Sequence, residues 1–455
     1  MARTIAAIAT PPGAGGIGVI RLSGEDAFSI ADRVFTAKSG RPLASAKGYT
    51  AHYGTVHDAN GERLDDAVVT VFRAPRSFTG ESVVEFSCHG GVYLLRRVLA
   101  AVLAAGASPA GPGEFTRRAF ENGKMDLAQA EAVMGLIGAG GEQALRAARA
   151  GQDGVLSRTI GKIREELVLL AGDLAAWADY PDDDIPQVDE NKLKTGLGEA
   201  KIALKKLLDS FEAGRILREG VDTVIAGRPN AGKSTLMNLL AGCERSIVTD
   251  IAGTTRDVVE ETVMLGDVPL RLADTAGIRQ TDDPVEQIGV SRALGRVGSA
   301  QLVFAVFDSS QPLNDDDRRL TEALGDVPCV AIINKTDLPA AADEDYLRAH
   351  FPRMVYLSAK TGEGFEELKK TTRELLGTAQ LDPAAGILYT ERQRDDVRRA
   401  LEAVEEADSA LWMGMTLDAV TVSLEGALSA LFELTGERVS DAVVDSVFER
   451  FCVGK

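Results

Sequence analysis

The chain has 455 residues, 45% hydrophobic and 26% charged, and its 50 Lys and Arg against 68 Asp and Glu give a net charge of −18. At about 100–200 residues per domain it should form two to four domains, and a mean hydropathy of −0.02 without an apolar run near the ~20 residues that cross a bilayer excludes a disordered or membrane-spanning chain. The acidic balance excludes holding nucleic acid through bulk positive charge, though a local basic patch stays open.

The opening MARTIAAIATPPGAGG runs into a Pro-Gly turn instead of a cleavage site, so no signal peptide is expected. Cys88, Cys243, Cys329 and Cys452 are scattered with no CxxC pair, which predicts neither disulfides nor zinc and fits a cytoplasmic location. Residues 1–120 read as mixed α/β: TIAAIAT, GIGVIRLSG, DAVVTVF and SVVEFSC are strand-like, and GVYLLRRVLAAVLAAG is a helix closed by Gly106. Residues 121–217 switch to Ala, Leu, Glu and Arg at helical spacing, with DYPDDD as a solvated loop. Residues 218–378 alternate helices with the apolar strands VDTVIAG, VPLRLAD, AQLVFAVFD, VPCVAIIN and MVYLSAK, the pattern of a mainly parallel, doubly wound sheet. Residues 379–455 are helical again and end in FCVGK. Both helical parts carry apolar stripes that need partners, so the expected fold is multidomain α/β plus all-α, a helical domain interrupted by an inserted P-loop domain.

Gly227-Arg228-Pro229-Asn230-Ala231-Gly232-Lys233-Ser234 fits G-x-x-x-x-G-K-[ST] between a strand and the helix that continues at Thr235. Its backbone N–H groups can wrap phosphates, Lys233 reaches the β/γ oxygens and Ser234 ligates Mg²⁺. Asp274-Thr275-Ala276-Gly277 puts a carboxylate at a strand end for Mg²⁺ and its water, Asn334-Lys335-Thr336-Asp337 offers Asp337 to the N1 and N2 donors of guanine, and Ser358-Ala359-Lys360 offers a backbone N–H to O6. Each is an ordinary turn by itself; in this order on strand ends they resemble the motifs of translation-factor-type GTPases. Thr249-Asp250-Ile251-Ala252-Gly253-Thr254-Thr255 stands where a switch loop belongs, with Thr255 the candidate second Mg²⁺ ligand or else part of a plain surface loop. Ile278 follows DTAG where many small GTPases carry a water-orienting Gln, which leaves Glu286 as the acidic candidate or as a solvated side chain. Asn230 could join switch-loop carbonyls around a monovalent cation, or serve only the turn.

From IAAIATPPGAGGIGVIRLSG through SFTGE, CHGG, PGEFTRRAFENGKMDLAQAEAV, GRPNAGKSTLMN, TDIAGTTRD and DTAGIR to FCVGK, nearly the whole chain resembles the MnmE (TrmE) family of tRNA uridine-modification GTPases. The resemblance implies an N-terminal domain that binds a tetrahydrofolate derivative (5-formyl or methylene form) and makes a homodimer. It implies a K⁺ held by Asn230, Thr249, Ile251 and Thr254, and Glu286 as the water-orienting group beside the catalytic Lys233 and Asp274. It also implies a partner, MnmG (GidA), that carries FAD, and addition of a carboxymethylaminomethyl or aminomethyl group at C5 of the wobble uridine of certain tRNAs. Arg21, Glu85, Lys124 and Lys455 match folate-contacting positions, and Cys452 matches a tail position near that pocket, catalytic or simply a buried small hydrophobe. Ala14 stands where the family commonly has Arg, and His89 in CHGG reads as a general base or a packed turn residue. The alternatives are a ribosome- or RNA-associated GTP switch without one-carbon chemistry, and a folate aminomethyltransferase that acquired a G domain.

Overall fold

Period-two alternation in the first hundred residues becomes a sheet because one face of each strand meets helices. The computed structural model describes residues 3–179, 189–243, 261–272, 298, 300–325 and 327–454. It divides into two compact units, Met1–Met134 with Ser429–Lys455, and Gly135–Leu428.

In the first unit, β1 (Ile5–Ile8), β2 (Gly15–Ser23), α1 (Ala27–Val34), β3 (Phe35–Ala37), β4 (Thr50–His57), β5 (Arg63–Phe72), β6 (Val83–Gly90), α2 (Val92–Ala104) and β7 (Ser108–Pro109) precede α3 (Glu114–Glu121) and the start of α4 (Leu127–Gly138). The strand order is β3-β4-β5-β6-β2-β1-β7, antiparallel throughout except for β1 beside β7. Ile20, Leu22, Val69, Val71, Val84 and Phe86 point from one face into a core closed by α1 and α2. On the opposite face Tyr53 and Val68 pair across β4 and β5 and stay exposed, as does Ile17. At the β1 end that second face is covered by Phe115 of α3, packed on Ile5 and Ala7.

In the second unit, α4 leads to α5 (Glu142–Gln152), α6 (Val155–Asp179) and α7 (Glu190–Glu219). Buried residues recur at heptad spacing, Ile160, Ile163, Leu167, Leu170 and Leu174 on α6 and Leu193, Leu197, Ala200, Leu204, Leu207 and Phe211 on α7, which keeps one seam facing a neighbouring helix. Asp189 caps α7 by accepting from the N–H groups of Asn191 and Lys192.

The chain continues through β8 (Val221–Ala226), α8 (Lys233–Cys243), β9 (Glu261–Leu265), β10 (Val268–Leu272), β11 (Leu302–Asp308), α9 (Asp315–Leu324), β12 (Cys329–Asn334), α10 (Glu344–His350), β13 (Met354–Leu357) and α11 (Phe365–Leu375). These strands run in the order β13-β12-β11-β8-β10-β9 and are parallel apart from β9, the antiparallel edge. Every residue of β11 is buried, because Phe304 and Val306 enter one core and Val303, Ala305 and Phe307 the other. Covering both faces is what a parallel sheet requires. Beyond it lie α12 (Glu391–Trp412), α13 (Leu417–Thr435) and α14 (Asp441–Phe448), the last returning with the end of α13 to the first unit. Lys205 of α7 meets Glu405 of α12 at 3.0 Å. No helix among the described residues is long and apolar enough to cross a membrane.

Candidate functional site

The loop between β8 and α8 opens at the C-terminal edge of the sheet, where ligands of open α/β folds collect. Asn230 has φ +60° and Gly232 φ +100°, and a Cβ on Gly232 would lie 2.1 Å from Asn334 Nδ2, so only glycine suits that position. Lys233 turns its ammonium onto the carbonyls of Gly227 (3.0 Å) and Arg228 (2.9 Å), which keeps the charge at the mouth of the loop. Ser234 and Thr235 are exposed in the first turn of α8, so the hydroxyl of Ser234 is open to a hard cation and the helix N-terminus to an anion.

The end of β12 locks onto this loop. Asn334 Nδ2 donates to Ala231 O at 2.8 Å while its Oδ1 accepts from the Ala359 N–H at 3.0 Å. Lys335, at φ +65°, donates to Asn230 O (2.8 Å) and to Asp308 Oδ2 (2.6 Å). Burial alone would raise the Asp308 carboxyl, but the bonds from Lys335 and Ser310 outweigh it and hold the group below its ordinary value. The exposed Asp337 is oriented by Ser358 Oγ, which donates to its Oδ1 at 2.8 Å; Ala359 is buried and Lys360 exposed. The arrangement joins a phosphate-wrapping loop to a carboxylate suited to a purine with two adjacent donors.

Thr249, Asp250, Ile251, Ala252, Gly253, Thr254, Thr255, Asp274, Thr275, Ala276, Gly277, Ile278, Glu286 and Lys455 lie outside the described residues.

A second polar centre occupies the first unit. Arg21 on β2 stands opposite Glu85 on β6, its Nε 2.7 Å from Glu85 Oε1, and its Nη1 donates to Gly454 O at 3.3 Å. The guanidinium lies 5.6 Å from the Phe115 ring centre and keeps further N–H donors for a carboxylate. Gly454 has φ +97°, and a Cβ there would sit 2.4 Å from Ile8 O, so glycine lets the tail lie against β1. Val453 bridges Pro112, and Cys452 is exposed, unlike Cys88, whose thiol burial pushes up to about 12. Lys124 lies on another segment, its ammonium donating to Pro75 O at 3.3 Å. His89 is the penultimate residue of β6, paired with Ile17 of β2 and exposed, so it is not a packed turn residue, and its Nδ1 lies 2.8 Å from Asp65 Oδ1.

Sequence reading missed the buried Arg118, which donates to Glu81 (3.1 Å), Glu114 (2.8 Å) and Arg3 O (2.9 Å) and so unites the SFTGE and PGEFTRR segments. Beside it is a cavity of about 480 Å³ lined by Glu81, Glu114, Arg117, Asn122, Asp445 and Phe448; Arg21, Glu85 and Lys124 do not line it. Asp308 was also missed, although a carboxylate closing the wholly apolar run LVFAVFD at a parallel strand's C-terminal end was a usable signal.

Two family models match, the GTP-binding protein TrmE N-terminus over residues 4–124 and the MnmE helical domain over residues 127–452. The tRNA modification GTPase MnmE of Symbiobacterium thermophilum is 44% identical over 455 residues, covering 99% of both chains. The chain belongs to the MnmE family. The MnmE protein of Heliobacterium modesticaldum is 42% identical over 462 residues, again with 99% of both chains covered. Among solved structures, the G domain of the T. maritima FeoB iron transporter is similar at 27% identity and a TM-score of 0.26, covering 34% of this chain and 98% of that one.

Proposed function

We propose that this MnmE-family chain hydrolyses GTP as part of tRNA modification. The observation that carries the reading is the interlock of Asn334 and Lys335 with the carbonyls of Ala231 and Asn230, in a chain 44% identical along its length to a tRNA modification GTPase. In this reading Lys233 leaves the carbonyls of its own loop for the β/γ oxygens, the loop N–H groups take the phosphates, and Asp337, held by Ser358, takes the guanine edge. Ser234 and Thr255 would hold Mg²⁺, which neutralises charge on the phosphates when bound. Asp274 orders the metal's water, Glu286 orients the attacking water, and Asn230 with Thr249, Ile251 and Thr254 holds K⁺.

The finer reading assigns residues 1–120 to folate binding and dimerisation, 121–217 and 379–455 to the helical domain, and 218–378 to the G domain. Exposed Tyr53, Val68 and Ile17 support a homodimer through the first of these. The Arg21–Glu85 pair against Gly454 supports a tetrahydrofolate site in which the two side chains, 2.7 Å apart, serve the same end of the ligand, with Lys124, Lys455 and Cys452 as further contacts. Bound there, the folate supplies a one-carbon unit. An FAD-containing partner, MnmG, completes the addition at C5 of the wobble uridine, in the cytoplasm. The test is mass spectrometry of wobble nucleosides in cells lacking the chain, complemented with the parent or with Asp274→Ala. Loss of the C5-modified uridine, restored only by the parent, is expected. Persistence of the nucleoside in the deletion, with no other enzyme able to make it, refutes the tRNA reading in favour of a GTP switch.

A further inference from the structure

Asn334 and Lys335 hold the carbonyls of Ala231 and Asn230, but neither holds the start of the loop at Arg228. That residue is tied elsewhere. Its Nη1 donates to Pro312 O at 3.1 Å and lies 3.1 Å from Asp317 Oδ2, with the Arg side chain 11% and the Asp side chain 1% exposed. Asp317 is the third residue of α9 and forms a capping box with Asn314, whose N–H donates to Asp317 Oδ2 at 3.1 Å and whose Oδ1 accepts from the Asp317 N–H at 3.0 Å. A capping box needs only an acceptor at this position, which an uncharged amide supplies. The sealed-in negative charge therefore requires another explanation, because an unpaired carboxylate is costly to bury. Its Oδ1 has no hydrogen-bond partner among the described residues; burial holds the carboxyl above its ordinary value, and the Asn314 N–H and the Arg228 guanidinium are what favour its charged form.

We propose that Asp317 is a positioning residue for the phosphate-binding loop, acting through Arg228 to fix the loop's entry before nucleotide arrives. The inference rests on reading residues 227–234 as the nucleotide site. Arg228 is the second residue past β8 and stands just ahead of the turn at Pro229 and Asn230, so anchoring its side chain to α9 sets the direction in which the following N–H groups converge. A loop ordered in advance loses less freedom when phosphate binds. Guanine recognition at Asp337 and Ser358 involves neither residue, so the brace acts on the phosphate end of the ligand alone.

The test uses the full chain with Asp317→Asn, which keeps a cap acceptor and the volume, with Arg228→Met, which keeps an apolar stem, and with both together. Affinities for GDP and for guanosine are measured by displacement of a fluorescent guanine nucleotide. Each single variant should weaken GDP about tenfold and guanosine less than about twofold, and the double variant should be no weaker than the worse single. Equal losses for GDP and guanosine, unchanged GDP affinity in the single variants, or losses that multiply in the double variant would overturn the proposal. If Asp317→Asn does not fold, Arg228→Met carries the same GDP-against-guanosine comparison. An unaltered chain that binds no GDP refutes the nucleotide reading itself, whereas normal binding by parent and variants alike refutes only the brace.

Discussion

Replacing Asn334 by Ala removes one side chain and strands two buried groups. Asn334 is 2% exposed, and its amide serves Ala231 O at 2.8 Å and the Ala359 N–H at 3.0 Å. Each polar group left buried without a partner costs about 1–3 kcal/mol, and water entering the space left by the amide recovers part of it, so the net cost should be about 3 kcal/mol. That figure corresponds to a rise of about 150-fold in the local opening equilibrium around β12 and the Ser358–Lys360 turn. Hydrogen exchange of the Ala359 amide in the nucleotide-free chain reads it directly, since that N–H is the one released. Asn334→Asp is the matched control, because it keeps the acceptor for Ala359 but turns a second oxygen toward Ala231 O. It should retain most of the Ala359 protection and still lose GDP affinity. Unchanged exchange at Ala359 in Asn334→Ala would refute the idea that this side chain couples the base-recognition turn to the phosphate loop.

Asp337→Asn should shift preference from guanine to xanthine nucleotides, measured by competition; undiminished GTP affinity would remove Asp337 from the base site. Replacing K⁺ with Na⁺ at constant ionic strength should slow GTP hydrolysis several-fold, and equal rates in the two salts would eliminate the cation role of Asn230. The Asp308 carboxyl lies below its ordinary value because Lys335 and Ser310 outweigh its burial, so its contribution to stability is full above the unfolded carboxylate range and is lost as pH falls through the folded value. The difference in urea midpoint between parent and Asp308→Asn should therefore be flat from about pH 5 to 8 and shrink only below about pH 4; a difference that changes near neutrality would contradict this.

Local spacing carried much of this molecule in plain sight. The sequence Gly227 to Ser234 encodes a strand-loop-helix turn within eight positions, and runs such as LVFAVFD could bury themselves only inside a sheet covered on both sides. The strand Glu261–Leu265 escaped because it is the antiparallel edge, joined to β10 by a tight turn at Gly266 rather than by a helix. The strand Thr50–His57 escaped because His52, Tyr53 and Gly54 break its apolar alternation. Pairings between distant positions were beyond any local pattern: nothing near Arg228 announces Asp317, and nothing near Arg21 announces Gly454.

The contact between Arg21 and Gly454 also has a temporal meaning. The strands of the first unit leave the ribosome early, yet the segment that packs along β1 and bridges Pro112 follows only after the roughly 290 residues of Gly135–Leu428 have been made. At about 5–20 residues per second that delay is about 15–60 s. During it, Arg21 and Phe115 wait without the tail, while the intervening unit can complete its own core. The polar centre of the first unit is thus assembled last, and a chain that stalls before Val453 can own a finished phosphate loop without ever closing that centre.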